Sequence, residues 1–123
     1  KVNSKIKILL VTILTSISDS SIKKIGHTKS IKEIVKKQAR LAEEYGCHGI
    51  VCAGSDLKFV KKLFKGEIIT PGIRLNGDSS GDQKRVMSPK EAFKNGSSAL
   101  VMGRSIIKGN IKSNIVKLIK ELK

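Results

Sequence analysis

The sequence predicts an α/β fold made of four consecutive βα units around a parallel sheet. Three observations carry that expectation. Short β-branched, apolar runs recur at residues 6–14, 49–53, 67–70 and 98–102. Each is followed by a segment whose apolar residues fall at helical spacing. Polar, glycine-bearing clusters stand where each run ends: Thr15-Ser16, Ala53-Gly54-Ser55, Pro71-Gly-Ile-Arg74 and Gly103-Arg104. Strands alternating with helices need crossovers, and right-handed crossovers lay the strands parallel. Residues 1–123 are expected to form a single domain.

Residues 6–14 are apolar almost throughout, the pattern of a strand buried on both faces. Residues 15–21 are turn-like, and Ser18 or Asp19 is placed to cap a short helix ending at Gly26. Ser30 and Glu33 have capping-box spacing. Ile31, Ile34, Val35, Leu41 and Ala42 then follow with helical periodicity until Gly46. After the strand at 49–53, Ser55-Asp56 opens a helix carrying Leu57, Val60 and Phe64, with Gly66 as its stop. The strand at 67–70 leads into a long loop, residues 71–87, rich in Gly, Asp and Ser. Loops of that length in a compact domain are usually functional. Ser88, Pro89 and Glu91 supply an N-cap, a first-turn proline and a box glutamate for a helix reaching about Lys94. The strand at 98–102 ends in Gly103-Arg104, and the last helix gathers Ile111, Ile115, Leu118, Ile119 and Leu122 on one face.

The net charge of +15 invites a nucleic-acid reading, but the residue types oppose it. Of 25 basic residues 21 are Lys, and the four Arg are Arg40, Arg74, Arg85 and Arg104. Base readout and phosphate forks favour Arg, and strand-stacking platforms need aromatics. The aromatics are Tyr45, Phe59, Phe64 and Phe93, none in a basic, aromatic-interleaved patch. The lysines therefore read as solvated faces. No apolar run approaches the roughly 18–20 residues of a membrane span, and the start does not resemble a signal peptide. Cys47 and Cys52 make no disulfide framework and have poor zinc spacing, so they read as buried thiols in a reducing compartment. His27 and His48 lack partners at metal-ligand spacing.

The loop at 71–87 is the most informative segment for chemistry. Its glycines let backbone amides approach an anion, Arg74 can fork to phosphate oxygens, and Gln83 offers an amide donor. A solvated surface loop is the competing reading. Gly103-Arg104 can open a helix whose amides and guanidinium hold a phosphate, or can be a plain strand-end turn. Thr15 and Ser16 can bond a ligand's polar edge or cap the next turn.

In order along the chain stand Ile-Leu-Leu-Val-Thr-Ile-Leu-Thr-Ser at 8–16, Gly-Ile-Val-Cys at 49–52, Thr70-Pro-Gly-Ile-Arg74, Gly81-Asp-Gln-Lys-Arg-Val-Met87 and Gly103-Arg104. Together they closely resemble the C-terminal half of bacterial orotidine 5′-phosphate decarboxylases, from about Lys5 to the end. The resemblance implies four βα units of a TIM (β/α)8 barrel of the ribulose-phosphate-binding type. The family converts orotidine 5′-monophosphate to uridine 5′-monophosphate and CO2 without a cofactor or metal, as a homodimer. Matched position by position, Thr15 contacts the pyrimidine, Arg74 and Gln83 bind substrate from the closing loop, and Gly103 and Arg104 grip the phosphate.

The family's catalytic D-x-K-x-x-D motif has no counterpart in these 123 residues, so no catalytic residue is assigned. Leu75 and Ser105 stand where the family commonly has Pro. By resemblance the chain belongs to a lyase of pyrimidine biosynthesis and supplies its phosphate- and pyrimidine-binding half, inactive alone. The alternative is a non-catalytic nucleotide-binding or interaction module from a split or decaying gene. The implied partners are the nucleotide and either an N-terminal half-barrel chain or a second copy of this chain. No specific nucleic acid and no membrane are expected, and the expected compartment is the cytoplasm.

Overall fold

The chain is described, in a computed structural model, over residues 5–78 and 86–123. Four strands, β1 (Leu9–Val11), β2 (Gly49–Val51), β3 (Glu67–Thr70) and β4 (Ala99–Leu100), form one sheet in that order. Every neighbouring pair is parallel. In a sequential parallel sheet, right-handed crossovers all pass over the same face, so the helices make a single layer. That is the order of a barrel wall. A doubly wound sheet reverses its strand order at a switch point.

Local sequence accounts for most helix starts. The helices are α1 (Asp19–Lys24), α2 (Ile31–Glu44), α3 (Leu57–Leu63), α4 (Pro89–Lys94), α5 (Arg104–Ile107) and α6 (Ile111–Leu122). Ser18 caps α1 by accepting from the Ser21 N–H. The box at α2 is complete: the Ser30 N–H donates to Glu33 Oε2 at 2.9 Å and the Glu33 N–H to Ser30 Oγ at 3.3 Å. Ser88 and Glu91 repeat the arrangement at α4, with Pro89 in its first turn. Asp19 also holds α2, accepting from the Ile31 N–H at 2.7 Å. The α3 start differs from expectation. A 3-10 turn, Gly54–Asp56, precedes it and no side chain caps it.

The core lies between the sheet and this helix layer. Ile50 and Ile68 are paired neighbours on β2 and β3, and both are fully buried. Val35, Ala39 and Ala42 of α2 and Leu57, Val60 and Phe64 of the α3 region close over them. Hydroxyls bind the short β4 to β3. Thr70 and Ser97 share a 2.7 Å bond, Ser97 Oγ donates to Ala99 O at 2.8 Å, and Ser98 Oγ accepts from the Ile68 N–H at 3.1 Å. Buried hydroxyls are costly without partners, so satisfying them fixes this register.

One expectation is corrected. The run at 6–14 is not buried on both faces: Leu9 and Val11 are 44 % and 56 % exposed, and Ile8 is exposed as well. Alternation sends Leu10 toward the helices and its neighbours to the opposite face, which no described element covers. Gly49 belongs to that opposite face, and a Cβ there would lie 2.6 Å from Leu9 Cδ2 and 3.0 Å from Glu67 O. The face is therefore tightly spaced between strands although uncovered from above. His48 is structural, its Nδ1 accepting from the Ile8 N–H at 3.1 Å and so satisfying the start of β1.

The apolar face of α6 is largely uncovered. Ile111, Ile115, Ile119 and Leu122 are exposed, and of the expected apolar face only Leu118 is half-buried. The helix turns Asn114, Leu118 and Glu121 inward instead. Polar bonds fix this rotation: Asn114 Nδ2 donates to Ile106 O and Lys108 O at 3.0 and 2.7 Å, and Glu121 Oε1 accepts from the Asn76 N–H at 2.8 Å. Cys52 is buried and Cys47 half-buried, with no disulfide. Among the described residues no helix is long and apolar enough to cross a membrane.

Candidate functional site

The chain leaves β3 through Pro71 into Gly72, whose φ of 75° lies in the left-handed region that glycine enters without strain. Ile73 then pairs with Met87 in a parallel bridge. The Arg74 N–H donates to Met87 O at 3.1 Å and the Met87 N–H to Gly72 O at 3.3 Å. These bonds clamp the two ends of the long loop together. Gln83 lies outside the described residues, so the expectation placed on it has no structural counterpart here.

Ile73 and Leu75 are buried, and Arg74 between them is half-buried with Nη1 donating to Ile73 O at 2.8 Å. The loop thus anchors itself through its apolar residues and presents its arginine. From the end of β4 comes Arg104, the first residue of α5. The carbonyl of Gly103 starts that turn by accepting from the Ile106 and Ile107 N–H groups at 2.8 and 3.0 Å.

Arg74 and Arg104 line one cavity, with a volume of ≈ 370 Å³. Asp78 completes it from the loop after β3, Ser105 and Lys108 from α5 and its C-terminal end, and Asn114 and Lys117 from α6. Among the described residues, four cations against one carboxylate give the lining a formal charge of 4 − 1 = +3. Two guanidiniums from different strand ends, backed by two ammoniums, suit an anion with several acceptor oxygens, such as a phosphate dianion.

Thr15 is placed elsewhere. It is 7 % exposed and lines a separate, smaller cavity of ≈ 100 Å³, with Val51, Cys52, Ala53 and Pro71 among its neighbours. Both cavities lie at the C-terminal ends of the strands, where parallel α/β sheets carry their ligands. The segment 71–74 joins them, with Pro71 on the wall of one and Arg74 on the wall of the other.

Lys108, Asn114 and Lys117 were not expected at the site. Lys108 is one helical turn beyond Arg104, a spacing that could have suggested it. Asn114 and Lys117 were hidden because α6 was oriented by its apolar stripe, whereas its polar bonds decide which side faces inward. Among the described residues no three His, Cys, Asp or Glu side chains cluster as a metal site would need.

The profile of the family "Orotidine 5′-phosphate decarboxylase / HUMPS" matches residues 1–118. The chain belongs to this family. It is 44 % identical over 98 residues to an orotidine 5′-phosphate decarboxylase of Coxiella burnetii, an alignment covering 78 % of this chain and 42 % of that protein. To the orotidine 5′-phosphate decarboxylase of Methylacidiphilum infernorum it is 41 % identical over 122 residues, covering 97 % and 53 %. The crystal structure of orotidine 5′-phosphate decarboxylase from Lactobacillus acidophilus superposes with a TM-score of 0.75 at 30 % identity, covering 99 % of this chain and 51 % of that one. The chain spans about half the length of the curated relatives it matches. Its four βα units are half of a TIM barrel, as the resemblance implied.

Proposed function

We propose that this chain is the phosphate- and pyrimidine-binding half of an orotidine 5′-phosphate decarboxylase. That lyase releases CO2 from orotidine 5′-monophosphate and leaves uridine 5′-monophosphate. The observation that carries the reading is the meeting of Arg74 and Arg104 over one cavity whose described lining residues carry a net charge of +3. In this reading Arg104 and the backbone at Gly103 hold the phosphate, Arg74 and Gln83 close over it, and Thr15 bonds the pyrimidine from the neighbouring cavity. Phosphate contacts remote from the reacting carbon supply binding energy that such catalysis uses to stabilise its transition state.

The 123 residues contain no D-x-K-x-x-D, the motif whose Lys donates the proton that replaces CO2 in the family, so that role is assigned to none of them. In this reading the motif comes from the other half of the barrel, which would pack against the edge strands β1 and β4. The two cysteines, held without a disulfide, suit a reducing cytoplasm.

Calorimetric titration with uridine 5′-monophosphate tests the binding half. Saturable binding is expected, and Arg104→Ala should weaken it about tenfold or more, the effect of losing a charge-assisted bond. Unchanged affinity in that variant would remove the assignment. Mixing the chain with a half-barrel bearing D-x-K-x-x-D tests the catalytic reading. CO2 release supports it. A stable but inactive complex that still binds the nucleotide leaves the non-catalytic binding module, which the missing motif also favours.

A further inference from the structure

A second groove, ≈ 490 Å³, lies between α2 and α3 and shares no lining residue with the Arg74–Arg104 cavity. Lys32, Lys36 and Arg40 form one wall, spaced i, i+4, i+8 along α2. That ridge runs ~12 Å at 1.5 Å per residue. Lys58 and Lys62 form the other wall, spaced i, i+4 on α3. Phe59 and Leu63, both half-buried, lie with them in the groove, and Lys36 Nζ stands 6.0 Å from the Phe59 ring centroid.

Among the described residues no Asp or Glu lines this groove. Among the described residues none of its five cations makes an ion pair within 4 Å of a carboxylate. Glu33, whose charge Lys36 favours from one turn away, is already engaged by the Ser30 hydroxyl and N–H. Like charges at i, i+4 weaken a helix. Both walls accept that cost with no carboxylate in ion-pair contact among the described residues, and an anionic occupant would relieve it. The groove lies between two packed helices, so completing the sheet at β1 or β4 does not fill it.

We propose that this groove docks an acidic amphipathic helix of a partner protein. Glutamates one turn apart on such a helix repeat every ~6 Å, the spacing of both basic ridges. Its apolar side chains would seat on Phe59 and Leu63, the helix-in-groove mode of recognition. A nucleic-acid strand fits less well. Four of the five cations are lysines rather than phosphate-forking arginines, and a phosphodiester backbone has nothing to place on Leu63.

Fluorescence anisotropy with a labelled Glu/Leu amphipathic peptide of about 15 residues, a helix of ~22 Å, tests the proposal. A labelled oligothymidylate of equal length runs in parallel. The peptide should bind saturably and more tightly than the oligonucleotide. The double charge reversal Lys36→Glu/Lys58→Glu should weaken it about tenfold or more, and Phe59→Ala should weaken it while leaving the charge unchanged. Circular dichroism checks that each variant folds, and Lys36→Gln/Lys58→Gln replaces the reversal if it does not. Arg104→Ala should bind the peptide normally, which separates this groove from the nucleotide site. No peptide binding, binding indifferent to these substitutions, or tighter binding of the oligonucleotide would each overturn the proposal.

Discussion

The two sides of the sheet were written with similar amino acids and ended in opposite environments. Toward the helices, Ile50, Ile68, Val35, Val60 and Phe64 are sealed at 0–1 % exposure. On the other face and at the two edges, Ile8, Leu9, Val11, Val101, Ile115 and Ile119 remain 42–59 % exposed. Apolar character is therefore not what distinguishes the regions. The α2–α3 layer is built from residues inside this chain. The opposite face is the one that, in a complete eight-stranded barrel, packs against the remaining strands. A strand destined for burial on both sides shows a continuous apolar run whether or not both covers are present.

Substitutions on each side can break or sharpen that contrast. The largest effect is expected from Phe64→Ala, which opens a cavity in the sealed core and should cost about 3–5 kcal/mol in urea unfolding. A cost below about 1 kcal/mol would mean that the helix-side core is not consolidated. Ser30→Ala removes one bond of the α2 capping box and should cost about 1 kcal/mol in the same assay. Val11→Thr and Ile119→Lys lie on the uncovered face and edge and should each change stability by no more than about 0.5 kcal/mol. Losses as large as that of Phe64→Ala would show that these side chains are covered in solution.

The smallest effect concerns pH. Bonds from the Ser30 N–H and then its hydroxyl hold the Glu33 carboxyl below its ordinary value of 4.5. At Glu91 the Ser88 hydroxyl leads and the Ser88 N–H follows, in the same direction. A carboxylate with a lowered folded pKa contributes stability that is fully present above its unfolded value. That contribution is lost as pH falls through the folded one. Carboxyl NMR titration should find both groups ionising below 4.5. Ser30→Ala should move Glu33 part of the way back, because the backbone N–H remains. A titration of either glutamate at or above 4.5 would contradict the capping-box geometry.

Legibility followed the range of the interaction. The α2 and α4 starts were readable because Ser30 with Glu33 and Ser88 with Glu91 act within one helical turn. Arg74 and Arg104 were readable as candidate site residues because each belongs to a short motif at a strand end. Their sharing of one cavity was not, and neither were Lys108 and Lys117 beside them. The rotation of α6 depends on a bond from Asn76 to Glu121, 45 residues apart, which no periodicity contains. Thr15 was grouped with the arginines by resemblance, and the fold gives it a cavity of its own, joined to theirs through the segment 71–74.

Element identity, strand direction and family were thus determined by the sequence itself, since caps, periodicity and motif spacing are local properties of the chain. Which apolar face is covered, which side of α6 turns inward, and which cations gather around Arg74 and Arg104 were decided only by the tertiary structure. Those outcomes depend on contacts between distant segments, such as the bonds from Asn114 to Ile106 O and Lys108 O and from the Asn76 N–H to Glu121 Oε1.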